Sequence, residues 1–176
     1  MEKILLDSFE KSILLIADLH LDPARPAAIA AFLSLINGEA KSAGALFILG
    51  DLFEAWIGDD ARPAGDPIAP ALSQLAATGV KIYLMRGNRD FLLGTDFAAA
   101  AGATLLEEPA IVIIDNNPVL VEHGDALCTD DIAYQQFRAH VRDPAWQGRR
   151  VPVVLIHREF QNKRQWLSPG GEGLAG

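Results

Sequence analysis

Short runs of continuously apolar residues alternate along this chain with alanine-rich stretches in which apolar positions recur every three or four residues. The first kind reads as buried strands, the second as helices packed on them. Residues 12–17 (SILLIA), 45–49 (ALFIL) and 80–85 (VKIYLM) are strands by this pattern. Residues 27–43 set Ile29, Phe32, Leu33 and Ile36 on one helical face. Residues 67–78 form a second helix stopped by Gly79, and 95–101 a third stopped by Gly102. The βαβαβ order predicts an α/β fold with a largely parallel sheet and helices on its faces. Further on, 110–114 and 118–122 flank Asp115-Asn116-Asn117, a hairpin turn signal. Residues 130–141 read as a helix, 151–156 (VPVVLI) as another strand in spite of Pro152, and the Gly-rich stretch 168–176 as disordered chain.

Composition bounds the picture without changing it. The 176 residues suffice for one domain with a core, and half of them are hydrophobic. No apolar run approaches the roughly 18–20 residues of a membrane span. Asp7, Glu10 and Lys11 interrupt the N-terminal region where a signal peptide would need an apolar run, so a cytoplasmic protein is expected. The single cysteine, Cys128, cannot pair internally and reads as a small buried residue in a reducing compartment. A net charge of −8 argues against nucleic acid as a partner. It does not argue against a phosphate substrate, because a bound cation can supply positive charge locally.

Polar residues gather where the strands should end. The first strand runs into Asp18-Leu19-His20, the second into Gly50-Asp51, the third into Gly87-Asn88-Arg89-Asp90, and the hairpin into His123-Gly124-Asp125. In an open α/β sheet the carboxyl ends of the strands form the ligand crevice, so four strand ends aim hard ligands at one place. Each cluster alone has a plainer reading as a cap, a turn or a satisfied buried histidine. Together they predict a metal site built from Asp18, His20, Asp51, Asn88 and His123. Asp18 and His20 point the same way from an extended segment, and Asp51 offers two oxygens, enough to bridge two cations. Mixed carboxylate, amide and imidazole ligation suits Mn²⁺, Fe²⁺ or Zn²⁺ better than Ca²⁺. Two such ions about 4 Å apart can activate water for in-line phosphoryl displacement.

The motifs D-x-H, G-D and G-N-R-D, followed by a later histidine, resemble those of the calcineurin-like metallophosphoesterase family, a sandwich fold. The segments IADLHLD, LFILGDLFEAWIGDD, RGNRDFLLG and EHGDALCTDD are similar, more narrowly, to the family of UDP-2,3-diacylglucosamine hydrolases. Those are the pyrophosphatases of lipid A biosynthesis in Gram-negative bacteria. Arg89, where many relatives have histidine, belongs to that narrower pattern. The resemblance implies two Mn²⁺ ions, one on Asp18 and His20, the other on Asn88 and His123, with Asp51 bridging. It implies Asp51, Asn88, Arg89 and His123 as the catalytic set, with Arg89 clamping a phosphate oxygen. Asn88, Arg89, Asp131 and Tyr134 become substrate contacts, although Asp130 and Asp131 also fit an acid pair at a helix N-terminus. UDP-2,3-diacylglucosamine would yield UMP and 2,3-diacylglucosamine 1-phosphate, and its lipid character implies peripheral contact with the cytoplasmic face of the inner membrane.

The sequence departs from the family pattern in two respects, one being that the family's helical insertion over the acyl chains is missing after Trp146. The family has a later G-H-x-H segment giving a histidine to each metal, whereas the four histidines here are 20, 123, 140 and 157. The segment VVLIHREFQNK follows an apolar run with His157, but Arg158, Glu159, Phe160 and Gln161 stand where ligands would be, Glu159 reading as a solvated acid. The expected organisation is therefore an incomplete metallophosphoesterase domain over 1–146 and a divergent, partly disordered tail over 147–176, as from C-terminal truncation. Beside hydrolysis of the UDP-sugar stand two alternatives: another metallophosphoesterase, or a non-catalytic remnant that binds metal or nucleotide.

Overall fold

In a computed structural model of the chain, residues 2–6 and 11–147 are described. The expected strand over 151–156, His157 and the tail over 148–176 lie outside the described residues. Four strands form a parallel sheet in the order β2 (Ile13–Ile16), β3 (Ala45–Leu49), β4 (Lys81–Met85) and β5 (Thr104–Leu106). A second sheet pairs β1 (Glu2–Leu6) in parallel with β6 (Ala110–Ile114), which pairs antiparallel with β7 (Asn117–Val121). Helices α1 (Pro26–Asn37), α2 (Ile68–Ala77) and α3 (Thr95–Ala100) connect the parallel strands, and α4 (Ile132–Val141) and α5 (Pro144–Gln147) follow the hairpin.

Strand alternation sorts the core into two layers. Leu46, Ile48, Ile82 and Leu84 face the helices and pack with Phe32, Ile36, Leu72, Leu75 and Phe97. The intervening Ala45, Phe47, Tyr83 and Met85 face the second sheet and meet Ala110, Val112 and Val121. Phe47 and Tyr83, paired across β3 and β4, stack with ring centroids 4.6 Å apart. With both faces covered, β3 is apolar at every position, which is why its sequence shows a run rather than an alternation.

Several expected boundaries shift for local reasons. The helix expected over 27–43 ends at Asn37, because Gly38 leaves helical geometry (φ −110°, ψ −106°) and a 3₁₀ turn over Glu39–Ser42 follows. The hairpin turns on Asp115 (φ 49°) and Asn116 (φ 63°) alone, the two-residue left-handed turn that suits twisted strands, while Asn117 already pairs with Ile114. Helix α4 starts at Ile132 because Asp131 caps it. Cys128 is exposed rather than buried, since it lies on the loop that leads into α4. Strands β1 and β5 were not expected at all. β5 is only three residues long, and β1 takes its partner β6 from far along the chain.

Phe47→Ala should lower the unfolding free energy by about 3–5 kcal/mol, the usual effect of emptying a fully buried aromatic site. Urea denaturation followed by circular dichroism measures it, and a loss under about 1 kcal/mol would mean that the sheets close over the gap.

Candidate metal centre

The ladder between β2 and β3 continues beyond the strands. Asp18 N–H donates to the Gly50 carbonyl (3.2 Å), His20 N–H to that of Asp51 (3.0 Å) and Leu21 N–H to that of Leu52 (2.9 Å). Leu21 also forms a parallel bridge with Phe53. Two loops thus leave the sheet still zipped together. The backbone is left-handed at Asp18 (φ 55°), His20 (φ 49°) and Asp51 (φ 51°). Each such non-glycine residue costs on the order of 1 kcal/mol, and their concentration at one place is the mark of a site rather than of ordinary turns.

The side chains converge. Ligand atoms of Asp18, His20 and Asp51 lie within 4.8 Å of one another. His20 Nε2 is 3.9 Å from Asp18 Oδ1 and 3.8 Å from Asp51 Oδ2. From the other side, His123 Nε2 is 3.8 Å from Asp51 Oδ1 and 3.0 Å from Asn88 Oδ1. The two Asp51 oxygens therefore face different histidines. Asp51 and His123 are buried (side chains 2% and 5% exposed) whereas Asp18 is 63% exposed, so the cluster has a closed wall and an open mouth.

Hydrogen bonding settles which His123 nitrogen faces the cluster. His123 Nδ1 lies 2.9 Å from the Leu49 carbonyl oxygen, which can only accept, so Nδ1 carries the proton. Nε2 then presents its lone pair to the oxygens of Asn88 and Asp51. Acceptors facing one another at this range repel, and a divalent cation at the point they share turns the same atoms into ligands. The residues present therefore fit a metal. Burial raises the Asp51 carboxyl above its ordinary value, against the pull of the Arg89 amide, 2.8 Å from Oδ1, and of the two histidines.

Asp90, which the sequence reading left without a role, holds the loops in register. Fully buried, it accepts the N–H groups of Gly87 (2.8 Å) and Asp51 (3.3 Å) on Oδ1, and of Phe53 (3.3 Å) on Oδ2. Burial pushes its pKa up to about 6 in spite of those donors. Glycine is required at two neighbouring positions. A Cβ on Gly50, itself at φ 90°, would collide with the His123 ring, and one on Gly87 would collide with Asp51 Oδ1 and the Asp51 amide.

Asp131 and Tyr134 are tied to α4 and its anchor rather than to the ligand cluster. Asp131 Oδ1 accepts the Tyr134 N–H at 2.8 Å as a helix N-cap, and the Tyr134 hydroxyl donates to Asp125 Oδ2. Asp125 Oδ2 also receives Arg138 Nε (3.0 Å) and an Arg142 N–H (3.3 Å). Glu108 Oε2 receives Arg138 (2.7 Å) and Arg142 (3.1 Å), while its Oε1 accepts the His123 N–H at 2.7 Å. Arg142 also donates to the Gly87 carbonyl at 3.3 Å. α4 thus grips the backbone on both sides of the cluster. The readable signal was Tyr134, Arg138 and Arg142 at four-residue spacing, one face of a helix.

Gly87→Ala should weaken binding of a divalent cation, with Mn²⁺ as the probe, by about tenfold or more, as losing the support of a ligand does. Isothermal titration calorimetry measures this, and wild-type affinity would mean that Asp51 can shift without loss. A second expectation concerns pH. Burial pushes the Asp125 carboxyl up, but the Tyr134 hydroxyl, Arg138 and Arg142 outweigh it and hold the group below the ordinary carboxylate value. A carboxyl depressed on folding contributes stability above its unfolded pKa and loses it as pH falls through the depressed one. The urea midpoint should therefore drop below about pH 4. Asp125→Asn should be less stable at neutral pH and flatter over that acid range.

The description calcineurin-like phosphoesterase matches residues 11–171. Curated relatives include the UDP-2,3-diacylglucosamine hydrolase of Stenotrophomonas maltophilia (strain K279a), 56% identical over 146 residues, which are 82% of this chain and 59% of that protein. The UDP-2,3-diacylglucosamine hydrolase of Aromatoleum aromaticum is 52% identical over 164 residues, 93% of this chain and 63% of that protein. The chain thus spans about three-fifths of the length of these relatives. Among solved structures, the Pseudomonas putida nuclease MPE is similar over 55% of this chain and 48% of that chain, at 26% identity and a TM-score of 0.42. The family match takes in every described element from β2 onward together with the whole ligand cluster, and on it this chain belongs to the calcineurin-like phosphoesterase family.

Proposed function

We propose that this chain hydrolyses the pyrophosphate bond of UDP-2,3-diacylglucosamine, a step of lipid A biosynthesis, at a centre of two Mn²⁺ ions. The curated relatives, UDP-2,3-diacylglucosamine hydrolases 56% and 52% identical to this chain over most of its length, support the substrate. The observation that carries the two-metal reading is the pair of Asp51 oxygens, one turned to His20 and the other to His123. Asp18 and His20 would hold one ion, Asn88 and His123 the second, with Asp51 between them. Bound there, the ions supply Lewis acidity that lowers the pKa of a coordinated water and neutralises charge on phosphoryl oxygens.

The remaining work falls to the chain. Arg89 follows the Asn88 ligand directly and presents a guanidinium at the edge of the cluster. A planar guanidinium suits two phosphate oxygens and stabilises the charge that grows on them during displacement. Asp131 and Tyr134 stand on the α4 side of the site as contacts for the rest of the substrate. Water adds to the α-phosphorus as the bond to the bridging oxygen breaks, giving UMP and 2,3-diacylglucosamine 1-phosphate. A diacylated substrate would be met at a membrane surface, here by peripheral contact with the cytoplasmic face of the inner membrane. No helix among the described residues is long and apolar enough to cross it.

Purified chain supplied with Mn²⁺ and UDP-2,3-diacylglucosamine should release UMP. Asp51→Ala should cut that release to about 1% or less, since it removes the group shared by both ions. Full activity in that variant would refute the bridging role. A second reading is a domain that binds metal or nucleotide without turnover. Mn²⁺ binding without UMP release would select it, and turnover of simple phosphodiesters instead of the UDP-sugar would select another metallophosphoesterase.

A further inference from the structure

His20 Nε2 faces the carboxylates of Asp18 and Asp51, so its other nitrogen points away from the cluster. That atom, Nδ1, is buried and makes no aligned hydrogen bond. A buried ring nitrogen without a partner costs about 1–3 kcal/mol, so an acceptor beside it matters. Glu54 Oε2 lies 3.3 Å away. His123 solves the same problem with a main-chain carbonyl, which no substitution of a side chain can remove. His20 depends on a side chain.

The other oxygen of the same carboxylate, Oε1, lies 3.7 Å from Arg89 NH1. At that distance it is a charge contact rather than a hydrogen bond. Glu54 is 22% exposed and Arg89 27%, so solvent only partly screens the pair. The backbone fixes the carboxylate between its two neighbours. Glu54 N–H donates to the Leu21 carbonyl at 3.1 Å, directly beside His20, and Trp56 N–H donates to the Arg89 carbonyl at 3.3 Å. The segment Phe53–Trp56 therefore bridges the loop that carries His20 and the loop that carries Arg89. Glu54 lies three residues beyond Asp51 and has no place among the ligands, so its position between the two functional groups is what points to a role.

We propose that Glu54 is a positioning residue with two outlets. It orients the His20 imidazole by accepting from Nδ1–H, which leaves Nε2 free as a metal ligand, and it holds the Arg89 guanidinium at the rim of the same site. An imidazole whose outer nitrogen is held by a carboxylate is fixed in tautomer and ring orientation and becomes a stronger donor to a metal. The inference rests on the metal-centre reading given above. Its consequence is that one carboxylate sets both metal affinity and the place where a phosphate is received.

The test uses the 176-residue chain with Glu54→Gln, which keeps size and an acceptor oxygen, and Glu54→Ala, with circular dichroism and urea midpoints as the folding control. Three readouts apply, none of them activity. Calorimetric Mn²⁺ affinity should fall about 10–100-fold in Glu54→Ala and by less in Glu54→Gln. The ¹⁵N shifts of the His20 ring, read in the metal-free protein at pH 8.5, should show the Nδ1–H tautomer in wild type and a mixture in Glu54→Gln. Affinity for UMP should fall in Glu54→Gln, and that fall should vanish when Arg89→Ala is already present. Unchanged Mn²⁺ affinity and tautomer in a folded Glu54→Gln, with wild type binding Mn²⁺, overturn the His20 assignment alone. A loss of UMP affinity that persists without Arg89 overturns the Arg89 assignment. A wild-type chain that binds no Mn²⁺ overturns the metal-centre reading and this inference with it.

Discussion

The fully buried carboxylate of Asp90 stands between the loops that leave β3 and β4, and the geometry of the site follows from what it accepts. Its oxygens take the amides of Asp51, Phe53 and Gly87, three N–H groups that no strand pairing could satisfy at a sheet's end. Burying a carboxylate is unfavourable, as its raised pKa records, and backbone donors are the cheapest local compensation. In return the two loops cannot slide past each other. Asp51 is held in a left-handed conformation, Gly87 is pressed against it with no room for a Cβ, and the Arg89 amide reaches Asp51 Oδ1. Without this staple the loops that carry Asp51 and Asn88 would lose the buried hydrogen bonds that Asp90 makes between them.

A second, wholly different attachment closes the other side. α4 has a single fully buried apolar residue, Val141, and is docked chiefly by Arg138, Arg142 and Tyr134 onto Glu108 and Asp125. Among the described residues, apolar packing adds the small cluster of Phe91, Val141 and Trp146, with Leu92 and Phe137 at its edge. Because Glu108 also holds the His123 amide and Arg142 the Gly87 carbonyl, the helix position and the ligand positions are mechanically the same variable. Each of the two shielded carboxylates is held by both arginines, so removing either acid would leave two cations short of a partner.

Both attachments act on the backbone of the ligand loops, whereas Glu54 acts on side chains. That division is economical. Main-chain hydrogen bonds fix where each loop runs, and the carboxylate between His20 and Arg89 adjusts the two groups that must answer to a cation and an anion respectively.

The apolar runs at 12–17, 45–49 and 80–85 were enough to place three parallel strands and the order of their helices, because a strand buried on both faces cannot avoid a continuous apolar signature. The convergence of Asp18, His20, Asp51, Asn88 and His123 was also legible. They sit at strand ends, where the fold leaves the backbone free to aim side chains, and residue type alone announces their chemistry. Other features were not legible, because they depend on distance in space. Strand β5 is too short to show a pattern, and β1 finds its partner β6 from the far end of the described chain. Asp90, Glu54, Glu108 and Asp125 look like ordinary acids in a chain of net charge −8. Only the fold reveals that the first is buried under three amides, the second set between a ligand and a guanidinium, and the last two clamped by arginines four residues apart. Sequence specifies which groups are offered. Their burial and mutual distances, and hence their electrostatic meaning, come into being only when segments far apart in the chain pack together.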